Sequence, residues 1–176
     1  IMFFAWSIYL RTNNPGIIDV FWGINIAMVG SFYLLQSINL KVFIVSQFLL
    51  LAWSIRLSLY LFITRIKTQE VDQRYKKLSD NWKNQKRGFL YNFLFQGLLG
   101  FIIATPFYFI AQTEQITLVQ YISYLIIVIG FIGEIISDFQ LHNFKNHNIG
   151  KICDIGLWNY SRHPNYFFEC LIWFGF

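Results

Sequence analysis

Near the end of the chain, one dozen residues hold an unusual variety of reactive and hydrogen-bonding groups. The stretch is Gly156-Leu157-Trp158-Asn159-Tyr160-Ser161-Arg162-His163-Pro164-Asn165-Tyr166, with Glu169 just beyond it. Arg162 is a permanent cation with a planar fork of donors, a shape that matches phosphate oxygens. His163 adds a second cation or a neutral donor according to its surroundings. Pro164 disfavours helix at His163 and suits the first position of a helix that follows. The first-turn N–H groups of such a helix, near Asn165 and Tyr166, would point toward an anion. Tyr160, Asn165, Tyr166 and Glu169 complete a cluster that is expensive to keep in apolar surroundings and is therefore a binding-site candidate.

A second set lies just upstream. Glu134, Asp138, His142 and Lys145 fall within about 80° of one another at 100° per residue, so they form one polar stripe on a helix. Carboxylates suit sugar hydroxyls and amide N–H groups, and Lys145 suits a phosphate. Further upstream, Arg56 sits in the apolar run Trp53-Ser54-Ile55-Arg56-Leu57-Ser58, where a charge pairs or lines a cavity. Asp19 is a candidate partner for it, and Tyr60, one turn on, can donate into the same cavity. The basic loop that follows holds Arg65, Glu70, Asp72, Arg74 and Tyr75, of which Arg65 is expected to point inward. No metal site is expected, because His142, His147, Cys153 and His163 match no metal-ligand spacing. Cys153 and Cys170 are expected to be unpaired thiols. Neither a GxGxxG nor a P-loop is present, so a bound nucleotide would not use a Rossmann unit.

The elements that position these residues are membrane spans. The 176 residues are 56% hydrophobic, 20% aromatic and only 13% charged, against roughly 25% charged in a soluble domain. Apolar runs long enough to cross a bilayer, about 20 residues each, occupy Ile17 to about Leu35, Val42 to Ile63, Phe89 to Ala111 and Leu118 to about Ser137. Residues 1–10 read as the tail of another span, and a last one starts at Phe167. Asn13-Asn14-Pro15-Gly16 is a turn signal, and Pro106 is expected to kink its helix. Both ends fall in apolar sequence, so the chain is expected to be a piece of a longer protein. The fold class is an all-α integral membrane protein, a multi-span helical bundle of about five to seven spans in the full protein. Residues 1–176 form one transmembrane domain, with 138–176 as its cytosol-facing segment.

The net charge of +5 does not indicate nucleic acid, because the charges lie between the apolar runs. Twelve of the fourteen Lys and Arg residues fall in loops on one side of the membrane; Lys41 lies on the other and Arg56 within a span. That asymmetry places the Tyr160–Glu169 cluster on the cytosolic side.

The motif Gly156-Leu157-Trp158-x-Tyr160-Ser161-Arg162-His163-Pro164-Asn165-Tyr166-x-x-Glu169 resembles the signature of the DUF1295 family, part of the steroid 5-alpha-reductase superfamily. Asp138-x-Gln140-Leu141-x-x-Phe144-Lys145, Asp19-Val20-Phe21-Trp22-Gly23, Trp53-Ser54-Ile55-Arg56-Leu57 and Asp72-x-Arg74-Tyr75 resemble it as well. The resemblance implies a membrane oxidoreductase that uses NADPH to reduce the C=C bond of a lipid-soluble enone, such as a 3-oxo steroid. It implies cofactor contacts from Asp138 and Asn165. Lys145 stands where the steroid enzymes carry an arginine, and Glu134 where they carry an asparagine.

The expected cofactor-binding set is Glu134, Asp138, His142, Lys145, Tyr160, Arg162, His163, Asn165, Tyr166 and Glu169, with Arg65. Asp19, Tyr60 and Arg56 are the candidates for polarising a substrate carbonyl. Arg162-His163-Pro164-x-Tyr166 is also similar to the motif of isoprenylcysteine carboxyl and phospholipid methyltransferases. That likeness implies S-adenosylmethionine as the alternative cofactor. A non-catalytic lipid-binding membrane protein is the third reading. The expected partners are the lipid bilayer and a lipid-soluble small molecule.

Overall fold

The computed structural model describes all residues except 68–71, 81 and 149; Glu70 therefore lies outside the described residues. Everything regular among them is helical. Four helical segments are long and apolar enough to cross a membrane: Ile17–Leu34, Leu40–Ile66, Gln85–Ala111 and Leu118–His147. The chain is an integral membrane protein of the helical-bundle class. The helices fall into two compact units, Ile1–Glu114 and Gln115–Phe176.

In the first unit, α1 (Met2–Thr12) stops at Asn13, whose φ of 54° is left-handed. The Asn-Asn-Pro-Gly turn follows. Asn14 Oδ1 accepts from the Gly16 N–H at 2.9 Å, and Asn14 Nδ2 donates to the Arg65 carbonyl at 3.2 Å. The turn thus closes on itself and is fastened to a residue fifty-one positions away. Helix α2 (Ile17–Leu34) runs beside α3 (Leu40–Leu61), which Asn39 caps by accepting from the Lys41 and Val42 N–H groups.

These two helices approach closely along small residues. Ser54 Oγ donates to the Gly23 carbonyl and Ser58 Oγ to the Val20 carbonyl, both at 3.0 Å. A methyl group on Gly23 would stand 3.2 Å from Ser58 Oγ. Small residues with interhelical hydroxyl bonds are how spans associate where lipid removes the hydrophobic drive. The last turn of α3 widens into a π-helical turn, Phe62–Ile66, which carries Arg65. Such turns recur at functional positions.

After α4 (Gln73–Ser79), helix α5 (Gln85–Ile103) packs on α1 and α2. Pro106 does more than kink it. Helix α5 ends at Ile103, and α6 (Pro106–Ala111) starts afresh with the proline in its first turn, where the missing N–H costs nothing.

In the second unit, α7 (Leu118–His147) starts with a capping box between Thr117 and Gln120. It is longer than the apolar run alone suggested: it passes Ser137 without a break and ends at Asn148. Residues 138–147 contain no Gly or Pro, so nothing stops the helix when the sequence turns polar. A short 3₁₀ turn, Gly156–Asn159, precedes α8 (Pro164–Gly175), which packs along α7. Glycines set that packing. A methyl group on Gly130 would meet the Phe168 carbonyl oxygen at 3.0 Å and Ile172 Cγ1 at 2.8 Å. One on Gly175 would meet the Ser123 carbonyl at 3.0 Å. The two backbones approach closely at these glycines.

Candidate functional site

The α7–α8 seam carries its consequence at its polar end. Asn165, in the first turn of α8, donates from Nδ2 to Asp138 Oδ1 at 3.3 Å. Its Oδ1 accepts from the Tyr166 N–H at 3.1 Å. One amide thus fastens the helix start and joins the two sequence clusters. Pro164 supplies the fixed φ at the first helical position, and Ser161 Oγ accepts from the His163 N–H at 3.2 Å.

The segment between α7 and α8 folds back onto α7. Trp158 Nε1 donates to the Ser137 carbonyl at 2.8 Å, and the Leu157 N–H donates to Gln140 Oε1 at 2.9 Å. Gly156 has a φ of 56°, and a methyl group there would fall 2.4 Å from Gln140 Nε2. The positive φ favours glycine, whereas the Gln140 amide is the end of a flexible side chain and can give way. The fastening roles of Ser137 and Gln140 were not foreseen; the polar side chain of Gln140 was a signal for its bond to Leu157, whereas Ser137 acts through its backbone carbonyl and carried none.

The polar stripe on α7 divides by depth. Glu134 and Asp138 are buried, at 5% and 6% exposure, whereas His142 and Lys145 are exposed. The Ser137 hydroxyl donates to the Glu134 backbone carbonyl. Around α8, Tyr160, Arg162, His163 and Tyr166 are exposed. The His163 and Tyr166 rings stack, with centroids 5.2 Å apart and planes 18° from parallel. They present a flat π-face to whatever lies beyond. Glu169 Oε1 accepts from Trp173 Nε1 at 2.9 Å, which fixes the carboxylate to its own helix.

This arrangement can hold an anionic, aromatic ligand. Arg162 has neither hydrogen-bond nor ion-pair partner among the described residues. A guanidinium next to a helix start matches phosphate oxygens. The stacked pair matches a planar ring system. Asp138 and Asn165 offer an acceptor and a donor. The residues present thus fit a phosphorylated nucleotide.

In the first unit, Asp19 is the hub of a charged cluster at the loop end of α2 and α3. One of its oxygens pairs with Arg65, and the Tyr75 hydroxyl donates to the other at 2.7 Å. Arg74 Nη2 stands 3.7 Å from Asp19. Asp72 accepts from Arg74 at 2.8 Å and lies 3.3 Å from Arg65. The Arg74 hydrogen bond holds the Asp72 carboxyl below the ordinary carboxylate range, and the nearby Arg65 charge adds to this. Burial pushes the Tyr75 phenol far above its usual value, and the neighbouring Asp19 charge reinforces the shift.

Asp19 is therefore not the partner of Arg56. It sits in the first turn of α2, and α3 runs antiparallel to it, so the level of Asp19 meets the end of α3. Arg56 lies nine residues before Arg65, about 13 Å along the helix. The Arg56 guanidinium instead stands 5.9 Å from the Tyr60 ring centroid. Asp19 acts here as an acceptor for two cations and a phenol.

The family model described as "Protein of unknown function (DUF1295)" matches residues 5–176. Neither a curated protein nor a solved structure matches the chain.

Proposed function

The chain belongs to the DUF1295 family, and from that membership and the site on α7 and α8 we propose that it is a membrane reductase. It uses NADPH to reduce the C=C bond of a lipid-soluble enone. The observation that carries this reading is the Asp138–Asn165 hydrogen bond, which joins the buried acidic stripe to the exposed Arg162–Tyr166 motif in one ligand-sized wall.

When bound, NADPH supplies the hydride. The chain's own residues bind and orient it. Arg162 and His163 neutralise phosphate oxygens, with Lys145 as a further cation from the end of α7. Asp138 accepts from a hydroxyl or amide N–H, and Asn165 donates a second amide hydrogen alongside. The His163–Tyr166 face takes a planar ring. Arg65 is tied up with Asp19 and Asp72, so its part is to hold the first unit's polar cluster.

The test is thermal unfolding of the full chain in neutral detergent with NADPH or S-adenosylmethionine. At a ligand concentration one hundred times Kd, stabilisation is about 2.7 kcal/mol. NADPH should raise Tm and S-adenosylmethionine should not, and Asp138→Asn or Asn165→Leu should weaken the effect. Stabilisation by S-adenosylmethionine alone would replace the hydride reading with the methyl-transfer one.

A further inference from the structure

The first unit contains a groove that takes no part in the nucleotide reading. Its volume is about 670 Å³, inside the roughly 300–1,000 Å³ range of small-molecule pockets. Asp19, Arg74 and Tyr75 close its polar end. Its side runs along α5 from Gly88 to Gln96, about 12 Å at 1.5 Å per residue.

The groove is graded from charged to apolar. At the charged end the acidic oxygens are engaged: Asp19 accepts from Arg65 and Tyr75, and Asp72 from Arg74. What remains to face a ligand includes free donors. Arg74 uses Nε and Nη2 on Asp72, its Nη1 has no acceptor among the described residues, and its side chain is 64% exposed. Asn92 and Gln96, one helical turn apart, add two amides with no hydrogen-bond partner among the described residues. Lys76, Lys77, Lys86 and Arg87 are exposed on α4 and at the start of α5, an excess of positive charge on these elements that disfavours a cationic head.

The far side is apolar and faces lipid. Trp82 is pressed on Gly88, where a methyl group would fall 2.2 Å from its ring, and it meets Phe89 edge-on at 5.0 Å. Tyr91 and Phe95 are 71% and 56% exposed on a helix that spans the bilayer. The groove thus opens sideways from a donor-rich interfacial end to the acyl region.

We propose that this groove binds an anionic amphiphile. The acid head meets Arg74 and the amides of Asn92 and Gln96. The chain lies against Trp82 and Phe95 and leaves toward the bilayer beside Tyr91. This assignment is independent of which nucleotide, if any, the second unit takes.

The test is native mass spectrometry of the full chain from neutral detergent, titrated with oleate, with oleyl alcohol and with inorganic phosphate. Oleate should bind saturably at one site, oleyl alcohol at least about tenfold more weakly, and phosphate should neither bind nor compete. Arg74→Gln should weaken oleate about tenfold or more while leaving the alcohol unchanged, the scale of one lost charge-assisted hydrogen bond. Asn92→Leu with Gln96→Leu should also weaken oleate. That pair lies outside the ion cluster, so it decides the matter if Arg74→Gln fails to fold by circular dichroism. Equal affinity for oleate and oleyl alcohol, wild-type oleate binding in the doubly substituted chain, or full competition by inorganic phosphate would each overturn the assignment.

Discussion

Asn165 donates a hydrogen bond to Asp138 across twenty-seven residues of sequence, at 3.3 Å, from the first turn of one helix to the buried face of another. The bond forms where α7 and α8 are held together by glycines, so its geometry is inherited from backbone packing. An Asp138→Ala, Asn165→Ala double-mutant cycle in thermal unfolding should give a coupling of about 1 kcal/mol. Strict additivity would mean that the contact contributes nothing.

The glycine seam itself is testable. Gly130→Ala places a methyl group against a backbone carbonyl at 3.0 Å, which cannot move without displacing α8. We expect a loss of about 1–3 kcal/mol, read by thermal unfolding, together with weaker nucleotide-induced stabilisation.

The Asp72 cluster should confer acid sensitivity. The Arg74 hydrogen bond lowers the folded-state pKa of Asp72 from its ordinary value of 3.8. Its stabilisation is present above that ordinary value and disappears as pH falls through the lowered one. Wild-type Tm should therefore fall as pH is taken below about 4. Asp72→Asn should show a lower Tm at neutral pH and a shallower acid decline. Identical acid profiles would remove Asp72 from the cluster's energetics.

Much of this could be read from residue order, and the remainder could not for identifiable reasons. Long apolar runs marked the spans, because a bilayer demands about 20 such residues. Pro164 marked the start of α8, because its ring both forbids helix before it and favours helix after it. The length of α7 was legible too: the stripe from Glu134 to Lys145 carries the helix past Ser137, and it continues to His147, since helix formation depends on the absence of breakers and not on hydropathy. The Asp19–Arg56 pairing failed. Partner choice between two helices depends on their relative register, which no spacing within one helix reveals. The latch of Trp158 on the Ser137 carbonyl uses a backbone acceptor, and side-chain identity carries no sign of that.

That latch makes its own prediction. Gln140→Ala removes the acceptor for the Leu157 N–H and leaves Gly156 facing space. Hydrogen exchange of residues 156–160 should accelerate by about tenfold, corresponding to one lost hydrogen bond of about 1 kcal/mol, while α7 is unchanged. Trp158→Phe should act in the same direction. Unaltered exchange in both would show that the segment is held by other contacts.

The most direct test of the central claim is an equilibrium titration of NADPH into the full chain in lipid nanodiscs, followed by the nicotinamide fluorescence. The account predicts a saturable rise in emission that excess S-adenosylmethionine does not reverse and that Arg162→Gln weakens about tenfold or more, the scale of one charge-assisted hydrogen bond. No saturable NADPH signal, together with saturable binding of labelled S-adenosylmethionine, would contradict it.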